Sequence, residues 1–325
     1  MNLRNPMLIA SAAAVAASAM PCAAQTAANF PAKPILIIVP FAPAGPNDII
    51  ARIVGQKWTE LWGHPTVIEN RGGAGGTIGV EYGSKAPPDG YTVIMCGMSN
   101  MAVAVGLYPK LGYDPHELTA LSNVAIVPYA LAVNPTVPAK TVKELVAVAK
   151  TKKSLLSYGS SGTGAISHLA AELFKSMTGT DIVHVPYKGT APALQDLIGG
   201  QIQLMLDTPS SMLPHVRAGK IKALGMTSEK RVAVAPDIPT LIEGGVQVVG
   251  GTWVALLAPA GTPKAIVDKL SREAGAAMRR TEIKDRFVQL GIEPVGSTSP
   301  ELSAFLKSEV AKWAKVIKDA NVKID

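Results

Sequence analysis

From Tyr158 to His168 the chain runs Tyr-Gly-Ser-Ser-Gly-Thr-Gly-Ala-Ile-Ser-His, a cluster of hydroxyls, glycines and one imidazole. Its neighbours read as a short strand at 155–158 before it and an amphipathic helix at 164–177 after it, stopped by Gly179. A turn in that position leaves the N–H groups of Gly162, Thr163 and Gly164 open at a helix start, with the hydroxyls of Ser160, Ser161 and Thr163 beside them. Such an end carries partial positive charge and unpaired donors, so it suits an anion, either a carboxylate or a phosphate. Two kinds of chemistry lose ground at once. A dinucleotide fingerprint needs glycine where Ser167 stands and an acidic residue closing the next strand. A nucleophile elbow needs glycines two residues either side of the serine, and neither Ser160 nor Ser161 has both. His168 sits on the helix that the turn opens, which suits bonding a neighbouring loop better than acting as a base.

Other candidates are scattered along the chain. The loop Pro40-Phe-Ala-Pro-Ala-Gly-Pro-Asn-Asp48 follows an apolar run, which aims Phe41 toward any cleft, while Asn47 and Asp48 stand where helix caps occur. The glycine run 72–76 follows a second strand, the wrong place for a Rossmann phosphate turn. Met98 and Ser99 close a third strand, and Asp207 ends a fourth just before Pro209, where it can accept from a ligand or cap the next helix. Trp253 reads mainly as packing. The five histidines show no metal-ligand spacing with Cys96 or with a carboxylate cluster. No metal and no cofactor are expected.

Composition bounds these readings. The 325 residues are 48 % hydrophobic and 17 % charged, enough apolar content for two cores and too little charge for disorder. The formal charge of +7 is spread without basic clusters, so nucleic acid is not an expected partner, and mild basicity fits attraction of small anions. Residues 1–24 read as a secretory segment, with Arg4 before an alanine-rich apolar run and cleavage near Ala24. Cys96, the one cysteine beyond that segment, reads as buried packing on a strand.

To position these loops, the chain alternates strand and helix patterns, for which a parallel sheet with right-handed crossovers is the economical expectation. Two long extended stretches, 124–133 and 246–257, read as crossings between two domains. The first domain would be discontinuous, 26–130 plus 250–325, and the second would cover 131–249. Thr141 to Glu144 reads as a capping box, while Thr262-Pro263 and Ser299-Pro300 read as helix starts with proline at the first position. The final helix is expected to pack on the first domain. Loops 41–48, 72–76, 97–100 and 159–164 together with Asp207 would then converge on one cleft beyond the strand ends.

In this order and spacing, several motifs resemble the periplasmic solute receptors of tripartite tricarboxylate transporters, the Bug-type receptors. They are Pro40-Phe-Ala-Pro-Ala-Gly-Pro-Asn-Asp48, Glu69-Asn-Arg-Gly-Gly-Ala-Gly-Gly76, Ala86-Pro-Pro-Asp-Gly-Tyr-Thr92, Tyr158-Gly-Ser-Ser-Gly-Thr-Gly164, His184-Val-Pro-Tyr-Lys-Gly189 and Leu257-Ala-Pro-Ala-Gly-Thr-Pro263. The resemblance implies an α/β, two-domain, type II-like Venus-flytrap fold with two interdomain crossings. It also implies a monomeric periplasmic receptor, without catalytic activity, that passes a small carboxylate to a membrane permease. By position it assigns ligand contact to Phe41, Ala42, Ala44 and Gly45 on one jaw and to Ser160, Gly162, Thr163 and Gly164 on the other, with Asp207 at a strand end. Asn47 and Ser99 complete the expected site. Ala44 stands where glycine is usual, Gly72 where proline is common and Ala165 where a hydroxyl residue is common. A serine hydrolase, a dinucleotide-dependent enzyme and a solute-sensing partner of a membrane kinase are the rival readings.

Overall fold

The structure, a computed structural model, describes residues 29–43, 45–151 and 156–323. In chain order the elements are β1 (Ile35–Val39), α1 (Pro46–Trp62), β2 (Thr66–Asn70), α2 (Thr77–Ser84), β3 (Thr92–Gly97), α3 (Ala104–Leu107), β4 (Thr119–Val127), β5 (Ala130–Val133) and α4 (Val142–Thr151). They continue with β6 (Ser157–Ser160), α5 (Ile166–Thr178), β7 (Val183–Pro186), α6 (Thr190–Gly199), β8 (Leu204–Asp207), α7 (Pro209–Arg217), β9 (Lys222–Met226), β10 (Thr252–Ala258), α8 (Lys264–Met278), α9 (Thr281–Gln289), β11 (Glu293–Pro294) and α10 (Ser299–Asp319). The secretory reading of 1–24 and the expected contact at Ala44 lie outside the described residues.

Two sheets result, β11-β4-β10-β3-β1-β2 and β7-β6-β8-β5-β9. The first is built from both ends of the chain and the second from its middle. The all-parallel expectation needs correction, because β10 runs antiparallel to both β3 and β4, and β5 runs antiparallel to both β8 and β9. The crossings are the reason. β4 runs out of the first sheet at Val127 and β5 enters the second at Ala130, so β5 heads away from the junction while β8 heads toward it. β10 makes the return journey and so opposes β3. Strands such as β1, with four of its five residues buried, are apolar on both faces because helices cover both sides of the sheet.

Thr227 holds the two crossings together. Its hydroxyl accepts from the Tyr129 N–H at 2.7 Å and donates to the Gly250 carbonyl at 2.7 Å. Its backbone exchanges bonds with Tyr129 and Gly250 as well. Gly251, at φ 120°, passes so close to Val127 that a Cβ there would overlap the Val127 carbonyl.

Helix α10 packs on β4 and α3 of the first unit, as expected, and also touches helix α5 of the second. It begins one residue earlier than the sequence suggests: Thr298 is the cap, in a reciprocal capping box with Glu301, and Pro300 is the second helical residue. Helix α8 instead starts one residue later than expected, at Lys264 with Pro263 as its cap residue, while the Thr262 hydroxyl is spent on the Pro259 carbonyl. Thr141 does accept from the Glu144 N–H, but Glu144 reaches back to the N–H of Lys140. In the core, the buried Glu309 carboxylate of α10 accepts from the indole N–H groups of both Trp253 and Trp313, each at 2.9 Å, which places Trp253 in packing.

Candidate functional site

The loop after β1 is built by the need to satisfy the start of α1. Gly45 is the cap residue and Pro46 the first helical residue, where a missing N–H costs nothing. Asn47 is therefore inside the first turn and is not a cap. Asp48, expected as a cap, is buried and ties the helix sideways instead: its Oδ2 accepts from Arg52 at 2.9 Å and its Oδ1 from Asn70 at 3.0 Å. Asn70 also donates to the Phe41 carbonyl at 3.1 Å, fixing the loop against the end of β2.

Three loops meet here. Gly76, at φ 96°, lies where a Cβ would press on the Phe41 ring and on the Asn100 side chain. Glycine is thus required for both the dihedral and the space. The Ser99 hydroxyl donates to the Gly75 carbonyl at 3.1 Å. Asn100, fully buried, accepts from the Gly97 N–H at 3.0 Å through Oδ1, while its Nδ2 has no partner. Phe41, Gly45 and Asn47 are half-buried and Ala42 is exposed. Met98 is fully buried and lines no cleft.

On the second sheet the turn after β6 is more internally bonded than its sequence suggests. The Gly162 N–H donates to the Ser160 hydroxyl at 3.2 Å, and the Gly164 N–H donates to His168 Nδ1 at 3.0 Å. Of the three N–H groups expected to be free, Thr163 alone keeps an unpaired N–H and hydroxyl among the described residues, and it is exposed. Helix α5 starts only at Ile166. His168 bonds its own turn, not a neighbouring loop. Ser160 is fully buried and makes a 2.7 Å bond with His184 Nε2, so its hydroxyl faces the interior and not the cleft. Ser161 is bonded to Ser167.

The imidazoles of His168 and His184 stack face to face at 3.9 Å, and His184 stacks again on Tyr158 at 4.8 Å. Tyr158 donates to Glu172, which also pairs with Lys175. Burial holds both imidazoles below the usual histidine range, His184 at about 4, and His168 beside it adds to that depression. A neutral ring is what the Gly164 bond requires, since Nδ1 of His168 must accept.

Asp207 ends β8 with both oxygens occupied. Oδ2 accepts from Thr190 at 2.9 Å, and Oδ1 accepts from the Thr208 N–H at 2.7 Å and from Ser211 at 3.3 Å. The carboxylate thereby locks the starts of α6 and α7 to the sheet. Burial raises its pKa, and these hydrogen bonds oppose the rise.

The strand register relates the two loop clusters. Gly97 pairs with Val254, one residue beyond the Trp253–Ile126 pair, and Asp207 pairs with Ala130. Ser160, one residue past the Gly159–Met205 pair, is level with Leu206 and so ends one residue short of Asp207. Both clusters therefore sit at the strand ends that flank the short link from Val127 to Ala130. No hydrogen bond or ion pair joins the two clusters among the described residues. Sequence reasoning missed His184, Asn100, Asn70 and Thr190. The motif containing His184 was visible, but its pairing with Ser160 depends on β6 and β7 lying side by side.

Two α/β units, joined by paired crossings and carrying loop clusters at the flanking strand ends, define a periplasmic solute-receptor fold. Residues 50–322 match the tripartite tricarboxylate transporter family receptor, and the chain belongs to that family. It is 34 % identical to protein BugT of Bordetella pertussis over 96 % of this chain and 95 % of that one. Among solved structures it is similar to an R. palustris protein with adipate, at 34 % identity and TM-score 0.75, covering 91 % of this chain and all of that one. It is also similar to MatC from Rhodopseudomonas palustris with bound malate, at 32 % identity and TM-score 0.70, covering 89 % of this chain and all of that one.

Proposed function

We propose that this protein captures a small organic carboxylate between two lobes, 26–130 plus 250–325 and 131–249, and delivers it to the membrane permease of a tripartite tricarboxylate transporter. It would act as an exported monomer after cleavage near Ala24. The carrying observation is the placement of two loop clusters at strand ends on either side of one short crossing, one of them presenting the open N–H and hydroxyl of Thr163. Adipate and malate in the two similar structures support a carboxylate as the ligand class.

On this reading the first jaw is Phe41 to Gly45 with Asn47, and the second is the turn Gly162 to Gly164. Hinge motion at the crossings brings them together. Ser99, Ser160 and Asp207 hold the jaws in shape by the bonds described above. With Ser160 buried and bonded to His184, the Ser–His pair supports the turn, and a hydrolase reading gains nothing from it. Charge-assisted hydrogen bonds are worth roughly 1.5–3 kcal/mol each. Two or three of them, less the ordering cost of binding, correspond to roughly micromolar affinity.

A thermal-shift panel of mono-, di- and tricarboxylates, aromatic acids and acidic amino acids tests the proposal. At least one carboxylate should raise the melting temperature, and Thr163→Val should weaken that ligand without unfolding the protein. Stabilisation by none of them, together with turnover of an ester or a nucleotide cofactor, would sink it.

A further inference from the structure

Asp268, Ser271, Gly275 and Arg279 recur at three- and four-residue spacing along α8 and its cap, with Arg272 beside them, so they share one face of the helix. Gly275 lets that face approach the loop before α10: a Cβ there would stand 3.0 Å from the Gly296 carbonyl oxygen and 3.2 Å from Arg279 Nη1. Beside this contact the helix face and residues 296–300 line a hollow of about 250 Å³. It is smaller than a drug-sized pocket and suits one charged group with a small substituent. Its far wall is fixed in advance. Gly296 and Ser297 both donate N–H bonds to the Asn123 carbonyl of β4, and the Ser122 hydroxyl donates to the Ser297 carbonyl at 2.7 Å.

The side-chain groups left open in this hollow are donors. Ser271 is 7 % exposed, and its hydroxyl makes no hydrogen bond among the described residues; it is not sealed off, so what surface it keeps faces the hollow. A polar side chain so deeply placed normally has a partner. Arg279 is in no ion pair among the described residues. Ser299, the first helical residue of α10, has an acceptor for neither its N–H nor its hydroxyl among them, and the 21-residue helix adds partial positive charge at that end. Arg272 gives its Nε to Glu273 at 2.9 Å. The side-chain acceptors nearby are occupied. Both oxygens of Asp268 accept from Lys264, at 2.8 and 2.7 Å, the Ser297 hydroxyl accepts from the Asn123 N–H, and the Thr298 hydroxyl is bonded to Glu301.

We propose that this hollow binds a phosphate group, with the Arg279 guanidinium and the Ser271 hydroxyl on one side and the Ser299 N–H and hydroxyl on the other. A tetrahedral anion turns oxygens in several directions and so matches donors that converge from two elements. A carboxylate, with two oxygens in one plane, would leave some of those donors open. None of the lining residues belongs to the loop clusters, so this is a second anion site, confined to the first unit. Inorganic phosphate and a small phosphate monoester share this chemistry, and the space beyond the anion is what separates them.

Isothermal titration calorimetry in a phosphate-free, carboxylate-free buffer tests this with inorganic phosphate and glycerol 1-phosphate against uncharged glycerol. The expected result is saturable one-to-one binding of a phosphate, weakening as salt rises, and none of glycerol. The tighter of the two phosphates identifies the source, free ion or monoester. The Ser271→Ala/Arg279→Gln double variant should lose at least about tenfold in affinity while keeping the wild-type melting temperature. Thr163→Val should bind phosphate as the wild type does, because the turn of the second unit is the other place where an anion could settle. Absence of saturable heat for both phosphates, equal binding of glycerol, unchanged affinity in the double variant, or loss of phosphate in Thr163→Val would each overturn the proposal. None of these outcomes depends on carboxylate capture, so the two readings stand or fall separately.

Discussion

The stacked imidazoles under the carboxylate turn should make the fold sensitive to mild acid, and the size of the effect follows from their burial. In the folded protein His184 titrates at about 4, against 6.5 for an unperturbed histidine. Burial is the largest cause, His168 and Lys175 lower the value further, and Glu172 works against the shift. Between pH 6.5 and 4 the unfolded chain therefore holds a proton that the folded chain does not. Stability contributed by neutral His184 is complete above pH 6.5, declines as pH falls through that window, and levels off below 4. At about 1.36 kcal/mol per pH unit, the full loss comes to about 3 kcal/mol, an upper value because the ring is only half-buried. His168 moves in the same direction, and its protonation at Nδ1 would also break the bond to the Gly164 N–H. Urea unfolding at pH 7.5, 6.5, 5.5 and 4.5 should be compared between wild type and His184→Gln, whose amide can still bond Ser160. The wild type should lose about 2 kcal/mol more than the variant by pH 4.5. Parallel loss in the two proteins would show that His184 is not the acid-sensitive group.

Further outcomes are expected at the hinge and the core. Thr227→Val removes one acceptor and one donor that tie the two crossings, and should cost about 1–3 kcal/mol in chemical denaturation; a change within error would mean the backbone bonds alone hold the hinge. Gly251→Ala puts a Cβ on a residue at φ 120° against the Val127 carbonyl, and should cost at least about 2 kcal/mol or shift the lobe angle seen by small-angle scattering. Glu309→Leu strands two buried indole N–H groups and should lower stability by about 2–5 kcal/mol. Wild-type melting in that variant would mean the indoles find other acceptors. Asp207→Ala leaves the Thr190 hydroxyl and the Thr208 N–H without the acceptor they use and should destabilise by about 1–3 kcal/mol, with faster hydrogen exchange confined to the starts of α6 and α7.

Element types were legible because they rest on local patterns. The apolar run of β1, the amphipathic spacing of α1 and α5, and the extended stretches at both crossings needed no knowledge of partners. Strand direction was different. Nothing local in β5 or β10 says that they run against their neighbours; that follows from the chain leaving one sheet and returning to it. The site divides in the same way. Residue types at 159–164 announce an anion-friendly turn, but local sequence cannot count which of its donors are already spent. Gly162 and Gly164 donate to Ser160 and His168, and Ser160 turns inward to His184, because β6 and β7 lie side by side and α5 folds back over its own start.

By itself, then, the sequence determined the α/β class, the two crossings, the resemblance to solute receptors and the chemical character of two loops. Those properties live in composition, periodicity and short motifs, all of which act over a few residues. Only the tertiary structure decided that Thr163 holds the open donors of its turn, that Asp207 is a strut between two helix starts and that α10 reaches α5 of the second unit. Each of these depends on groups from distant parts of the chain competing for the same hydrogen bonds, and that competition is settled by packing.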